Sequence, residues 1–244
     1  MKILTLNTWQ ESGPWKDRWR VTFEQLEKLQ PDLCAFQEVF NMDWAKEISV
    51  RAKMPHLVVS GEHSGLIVVS KFPVCRQATH IMKSKSPTED YLRYALFAEI
   101  DTGKARFALF NTHLSWMLEE GAVRERQAEE LLSFMAEKFS GCDTLIMGDF
   151  NAPPMTREVR KMREAGFVDS FLSLHPNDPG LTWSNENLYA RGTGHPLPDR
   201  RIDYLFVKGS LAERIESAEV VMNEPDKNGI WASDHFGLLV SFRN

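Results

Sequence analysis

Leu145-Ile146-Met147-Gly148-Asp149-Phe150-Asn151 begins apolar and ends on a carboxylate and an amide. With Thr144 it forms a short apolar run between Gly141 and Gly148, which predicts a buried strand over residues 144–147. In extended chain, residues i and i+2 share a side. Asp149 and Asn151 are therefore expected to face one cleft, with Phe150 turned into the core. A carboxylate beside an amide can position a water, a metal ion or a phosphate oxygen. Pro153-Pro154 then stops regular structure and leaves this end open. By itself the stretch also fits a solvated turn, because Asp and Asn are common turn residues. Other strand exits separate the two readings.

Working outward, residues 2–6 read as a buried first strand that delivers Asn7-Thr8-Trp9. Residues 18–30 have helical periodicity, with Val21, Leu26 and Leu29 inward, and Pro31 ends them. The apolar run over 32–36 reads as a strand covered on both faces, ending at Gln37-Glu38. A helix is expected over 42–53, then strands over 57–59, 65–70, 74–82, 93–100 and 106–112, the last ending at His113. Residues 101–104 read as a hairpin turn. The longest helix is expected over 119–138, another over 156–165, and further strands over 201–207, 216–222 and 236–242. Residues 184–199 form a long Gly/Pro/Asn-rich stretch containing Arg191 and His195, a length usually kept for function. Two halves that each begin strand, polar end, helix hint at an internal repeat, and residues 1–244 read as one domain.

A carboxylate at the end of a buried strand, such as Glu38, is costly unless it meets a cation, and a hard oxygen ligand for Mg²⁺ fits. Asp203 stands among Ile202, Tyr204, Leu205, Phe206 and Val207 and needs a partner to stay charged. Arg201 is one candidate. His235, in Ser233-Asp234-His235, is the more useful one, because a carboxylate on an imidazole fixes its tautomer and raises its basicity. His113 and Asn7 each fit a satisfied strand-end residue as well as a ligand.

With 43% hydrophobic and 26% charged residues, the 244-residue chain has ordinary globular composition. No apolar run reaches the length of a membrane span. A net charge of -5 and a pI of about 5.8 argue against a broad basic nucleic-acid face but leave room for a basic cleft. Cys34, Cys75 and Cys142 lack metal-ligand spacing and read as thiols of a reducing compartment. With no leader of the usual form, a cytoplasmic monomer is expected.

Taken in order, Leu6-Asn7, Gln37-Glu38, Thr112-His113, Gly148-Asp149-Phe150-Asn151, Arg201-Ile202-Asp203-Tyr204 and Ser233-Asp234-His235 resemble the motifs of the endonuclease/exonuclease/phosphatase superfamily, the deoxyribonuclease-I-like fold. The resemblance implies an α/β (α+β) fold, a four-layer α/β/β/α sandwich of two central mixed sheets flanked by helices. It also implies Mg²⁺- or Mn²⁺-dependent phosphoester cleavage by in-line attack of an activated water. By motif match, Glu38 would be the main metal ligand, helped by Asn7, with Asp234 supporting the site. Asp149 and Asn151 would orient the water and the phosphate. His235, paired with Asp203, would act on the nucleophile or the transition state, and His113 would bind a phosphate oxygen. Trp9 stands where abasic-site endonucleases carry Asp, and Thr112-His113-Leu114 replaces their Tyr-bearing motif. Leu6-Asn7-Thr8-Trp9 and residues 65–71 look like neutral sphingomyelinases. Leu181-Thr182-Trp183 and the segment from Ser233 look like tyrosyl-DNA phosphodiesterases.

Substrate choice falls to loops 9–19, 83–91 and 183–200. Their aromatics Trp9, Trp15, Tyr91, Trp183 and Tyr189 can stack on a base or hold a headgroup, or can simply anchor the loops. Their cations Lys16, Arg18, Lys83, Lys85, Arg191 and Arg200 can hold phosphates. Trp9, Trp183, Arg191 and Arg200 are the substrate-binding candidates. The expected partner is a phosphoester: nucleic acid or a DNA end, a phospholipid headgroup as in a sphingomyelinase, or a small phosphate ester as in a phosphatase. A non-catalytic module that binds a phosphorylated ligand is the alternative of another class. It has little use for Glu38, Asp149 and His235 together.

Overall fold

Period-two alternation along the strands sorts side chains onto two covered faces, so each central strand must be buried from both sides. The computed structural model describes residues 1–61, 63–139, 141, 143–191 and 197–243. Cys142 and His195 lie outside the described residues.

In chain order the elements are β1 (Lys2–Asn7), α1 (Trp15–Leu29), β2 (Leu33–Gln37), α2 (Met42–Arg51), β3 (His56–Val59), β4 (Ile67–Ser70), β5 (Val74–Ile81), β6 (Tyr94–Asp101) and β7 (Arg106–His113). Then come α3 (Gly121–Lys138), β8 (Thr144–Asp149), α4 (Arg157–Glu164), β9 (Val168–Asp169), α5 (Ser170–Leu174), α6 (Leu188–Arg191), β10 (Asp203–Lys208), a 3-10 turn (Ser210–Arg214), β11 (Ile215–Val221) and β12 (Gly237–Phe242).

Two six-stranded sheets result, ordered β11-β12-β1-β2-β4-β3 and β5-β6-β7-β8-β10-β9. Each is mixed: β1 runs parallel to β2 and β7 parallel to β8, while the other pairings are antiparallel. Position by position the two sheets share order and direction. The second follows chain order except that β10 lies inside β9, whereas the first joins the last two strands to the first four, with β4 likewise inside β3. The hinted repeat is therefore present as topology, circularly shifted.

Ile3, Leu33 and Ala35 of the first sheet meet Leu109, Leu145, Met147 and Leu205 of the second in one core between the sheets. The alternate residues Leu4, Leu6, Cys34 and Phe36 face outward onto Trp19, Val21 and Leu26 of α1 and Ala45 and Ile48 of α2. Phe110, Ile146 and Phe206 do the same against Leu131 and Phe134 of α3 and Val159 and Met162 of α4. That makes four layers, two mixed sheets flanked by helices. The inter-sheet core turns polar toward one end. There Gln37 Nε2 donates to Asn111 Oδ1 at 2.8 Å, and Asn111 Nδ2 donates to the carbonyls of Phe36 and Ile67. This amide bridge joins the sheets beneath the ends of β1, β2, β7 and β8.

Candidate active site

Those four strand ends carry Asn7, Glu38, His113 and Asp149. In register, Asn7 pairs with Gln37, His113 with Asp149, and Asp149 with Asp203 at the start of β10. Strand β8 continues to Asp149, two residues beyond the end expected at Met147. It can do so because residue 148 is Gly: at its φ of +133° a Cβ would lie 2.0 Å from the Thr112 carbonyl oxygen.

Asp149 is the hub. Its Oδ2 accepts from Asn7 Nδ2 at 3.0 Å and lies 3.4 Å from His113 Nε2 and 3.7 Å from His235 Nε2. Its Oδ1 accepts from the Asn151 backbone N–H at 2.8 Å. That bond closes a turn, so Asn151 is left-handed (φ 49°) rather than extended as expected. Its Nδ2 donates to the Leu114 carbonyl at 3.1 Å. Phe150 is buried, as its alternation required.

Asn7 holds two acids. Nδ2 also donates to Glu38 Oε1 at 3.1 Å, while Oδ1 accepts from the Trp9 N–H. One lone pair of Oδ1 is thereby taken, and the amide orients Glu38 and Asp149. Glu38 itself is left-handed (φ 65°). Gly65 permits this, since a Cβ there would come within 3.1 Å of the Glu38 Cα. On the remaining side His235 Nδ1 meets Asp203 Oδ2 at 2.9 Å. Arg201, the other candidate partner for Asp203, instead pairs with Asp169 at 2.8 Å. Thr182 Oγ1 accepts from the backbone N–H groups of Ile202 and Asp203, and Ser233 Oγ donates to the Asn7 carbonyl at 2.7 Å.

Electrostatics set the two histidines apart. Burial lowers the His235 pKa, but Asp203, Asp149 and Asp234 outweigh it and hold the imidazole well above its usual range. Burial, reinforced by Arg93 and His235, keeps His113 well below that range and so neutral. Burial, with Asp203 next, pushes Asp149 up to about 6. Burial also raises Asp234 to about 6, against the pull of His235 and with Glu38 adding to the rise. Glu38 is raised by burial and then by Asp149, against the Asn7 hydrogen bond. Buried carboxylates that push one another toward protonation are what a divalent cation would relieve, so the residues fit Mg²⁺ or Mn²⁺.

Two cavities flank Glu38, of about 450 and 590 Å³, and share Gln10, Glu38 and Phe40 in their walls. The larger also takes in His113, Tyr91, Leu92 and Arg93.

The substrate-binding candidates fare unevenly. Trp183 is only 6% exposed, packs with Ala190 and Ile202, and has the Arg200 guanidinium 4.9 Å above its ring. It anchors its loop and cannot stack on a base. Trp9 is half-buried and stacks on Tyr189 at 5.2 Å, so these two aromatics spend surface on each other. Arg200 is half-buried and feels Asp149 and Asp203, which partly offset the lowering of its pKa by burial. Arg191 is exposed at the end of α6. Arg18, expected as a cleft cation, is fully buried instead. One signal could have found it: it stands in the inward row of α1 with Trp15, Trp19, Thr22 and Leu26, where a cation needs polar partners. Thr182, Ser233 and Asn111 gave no such signal, because their partners are far away in sequence.

A family model described as Endonuclease/Exonuclease/phosphatase family matches residues 4–235. A Caenorhabditis elegans protein named as a candidate neutral sphingomyelinase is 24% identical over 290 residues, covering 99% of this chain and 66% of its own length. Tyrosyl-DNA phosphodiesterase 2 of Mus musculus is 25% identical over 235 residues, covering 91% of this chain and 60% of its own length. The chain thus spans about two thirds or less of these two relatives. Among solved structures, TDP2 of D. rerio complexed with a single strand DNA product superposes with a TM-score of 0.81. It is 20% identical and covers 100% of this chain and 99% of that one.

Proposed function

The chain belongs to the endonuclease/exonuclease/phosphatase family, and on that premise we propose that it is a divalent-metal-dependent phosphodiesterase that hydrolyses a P–O bond by in-line attack of water. The observation that carries this reading is the convergence of Asn7, His113 and His235 on one carboxylate oxygen of Asp149, beside Glu38. A bound Mg²⁺ or Mn²⁺ would be held by Glu38 and Asp234, with Asn7 beside them, and would supply charge neutralisation and Lewis acidity at the phosphoryl group. Asp149, Asp203 and His235 also bring one ligand atom each within 4.8 Å of one another. A separation of 2.9 Å between His235 Nδ1 and Asp203 is a hydrogen-bond length, so we read those two as a dyad rather than as metal ligands.

Each side chain then has a step. Asp149, near 6, accepts the proton of the attacking water, which Asn151 helps to aim. His235, kept cationic by Asp203, donates toward the phosphorane-like transition state. Neutral His113 offers one N–H to a non-bridging phosphate oxygen without drawing a second cation into the site.

The substrate we favour is a nucleic-acid phosphodiester, a DNA end in particular, supported by the mouse relative and by Arg200 at the site's edge. A lipid phosphodiester is the second reading, favoured by the exposed Tyr91 and Leu92 in the larger cavity wall and by the sphingomyelinase-like relative. We take residues 1–244 as one domain, acting as a monomer in a reducing compartment such as the cytoplasm. Cys34 and Cys75 are free thiols, and among the described residues no helix is long and apolar enough to cross a membrane. The test is kcat/KM for 5′-tyrosyl single-stranded DNA and for a choline phosphodiester, with Mg²⁺, Mn²⁺ or chelator, at two salt concentrations. Metal-dependent cleavage of the DNA ester that falls steeply with salt is expected, through its phosphate contacts. Preference for the choline ester would favour the lipid reading, and turnover unaffected by chelator would overturn the metal assignment.

A further inference from the structure

Arg18 projects from the first turn of α1 and is 0% exposed. Every N–H of its guanidinium ends on a main-chain carbonyl. Nε donates to Ser12 at 3.0 Å, Nη1 to Thr8 at 2.8 Å and Ala232 at 3.1 Å, and Nη2 to Trp9 at 3.1 Å and Gln10 at 3.0 Å. Five donors are all that a guanidinium has. Among the described residues it makes no ion pair, and its burial is compensated by these carbonyl dipoles, with longer-range attraction to Asp234 and Glu38.

Those carbonyls belong to two segments. Four lie in the loop after β1, where Trp9 (φ 55°) and Gln10 (φ 52°) are both left-handed, a conformation that side chains with a Cβ rarely adopt and that must be held from outside. The fifth, Ala232, precedes Ser233 and Asp234. The two segments bear directly on the site. The Trp9 N–H donates to Asn7 Oδ1, which turns Asn7 Nδ2 toward Glu38 and Asp149. Ser233 Oγ closes the circuit onto the Asn7 carbonyl.

We propose that Arg18 is a positioning residue for the cation site: its guanidinium fixes the loop that follows Asn7 against the turn carrying Asp234, and so sets divalent-cation affinity without touching the ion. This rests on the metal-dependent reading above. Lysine has its charge but donates from a single nitrogen, which cannot span five carbonyls around a planar fork.

The test is Mn²⁺ dissociation measured by electron paramagnetic resonance on the intact protein and on Arg18→Lys and Arg18→Gln. Arg124→Lys is the comparison, because Arg124 is also buried but braces the Ser115 and Met117 carbonyls and Glu158. Both Arg18 variants are expected to melt cooperatively and to bind Mn²⁺ at least about tenfold more weakly, as losses of outer support around metal ligands do. Their amides at residues 9–12 should exchange faster with solvent. Arg124→Lys should stay within about twofold of the unaltered protein in Mn²⁺ affinity, the reference scatter being well below the tenfold effect sought. Unchanged affinity in both Arg18 variants would overturn the proposal. So would an equal loss in Arg124→Lys, or loss of the cooperative melt in both Arg18 variants, since the guanidinium would then serve the whole fold. An unaltered protein that binds no Mn²⁺ would overturn the metal reading itself, a result distinct from any failure confined to Arg18.

Discussion

Asp203 opens β10 of one sheet, His235 stands just before β12 of the other, and the two buried side chains meet at 2.9 Å. An imidazole in that position is held cationic and in one orientation by the same carboxylate, so the two residues supply one function. Asp203→Asn would leave a neutral partner, and His235→Ala would leave the carboxylate unpaired. Each single substitution is expected to lower kcat by about 10²–10⁴-fold, the range for loss of positioned acid–base groups. The double variant should be little worse than the poorer single one, because removing either half already disables the unit. Steady-state kinetics on any accepted phosphodiester checks this. A double variant whose loss equals the product of the two singles would show that the residues act independently. This pairing was legible in the sequence, because an Asp among apolar strand residues needs a partner and Arg201 was a poor catalytic choice. The roles of Thr182 and Ser233 were not legible: hydroxyls have weak positional signatures, and theirs come from backbone groups far away in sequence.

At the scale of elements, the junction of β7 and β8 is the most exacting. Gly148 lets β8 pass the Thr112 carbonyl, with a backbone angle (φ +133°) that disfavours any other residue. Gly148→Ala is expected to destabilise the fold by about 3 kcal/mol or more, combining steric overlap with main-chain strain. A urea melt checks it, and a loss below about 1 kcal/mol would show that β8 can shift sideways at little cost. The same glycine explains why residues 144–147 looked like the whole strand: glycine usually marks a boundary, and only the neighbouring strand shows that here it permits a close approach. Elements with long patterned runs, α1, α3 and β7, were readable to within a few residues, and β2 was readable from its continuous apolar run. The short β9, α5 and α6 were not, since two to five residues carry no periodicity and these elements exist only through what they pack against. Asn151 was expected in extended chain, but a hydrogen bond to the Asp149 side chain turns it.

Across the whole molecule, two sheets of identical topology bring the ends of their parallel pairs to one end of a shared core, so acids from both halves crowd together. The repeat was faint in the sequence because one copy is split across the chain ends. The crowding has a thermodynamic consequence. Asp149 and Asp234 have folded-state pKa values raised to about 6 from an ordinary value of 3.8. The folded protein therefore binds more protons than the unfolded chain between those limits. The stability these acids contribute is fully present below about 3.8 and is lost as pH rises through about 6. His235, raised well above the ordinary imidazole value of 6.5, acts in the same direction, and His113, lowered well below it, acts in the opposite one. A divalent cation reverses the balance for the acids, because it competes with protons for their oxygens and binds more tightly once they are ionised. Comparing melting temperature with and without Mg²⁺ at the same pH largely cancels the histidine contributions. At a hundredfold excess over its dissociation constant, a ligand stabilises by about 2.7 kcal/mol, and each kcal/mol moves the melting temperature of a chain this size by about 2–4 °C. A rise of roughly 5–10 °C is therefore expected at pH 7.5 under such saturation, with most of it gone at pH 5.0 at the same Mg²⁺ concentration. Glu38→Gln should shrink the rise at pH 7.5, since one anionic ligand is lost. A Mg²⁺ shift as large at pH 5.0 as at pH 7.5, or one untouched by Glu38→Gln, would mean that the cation is held somewhere other than among these acids.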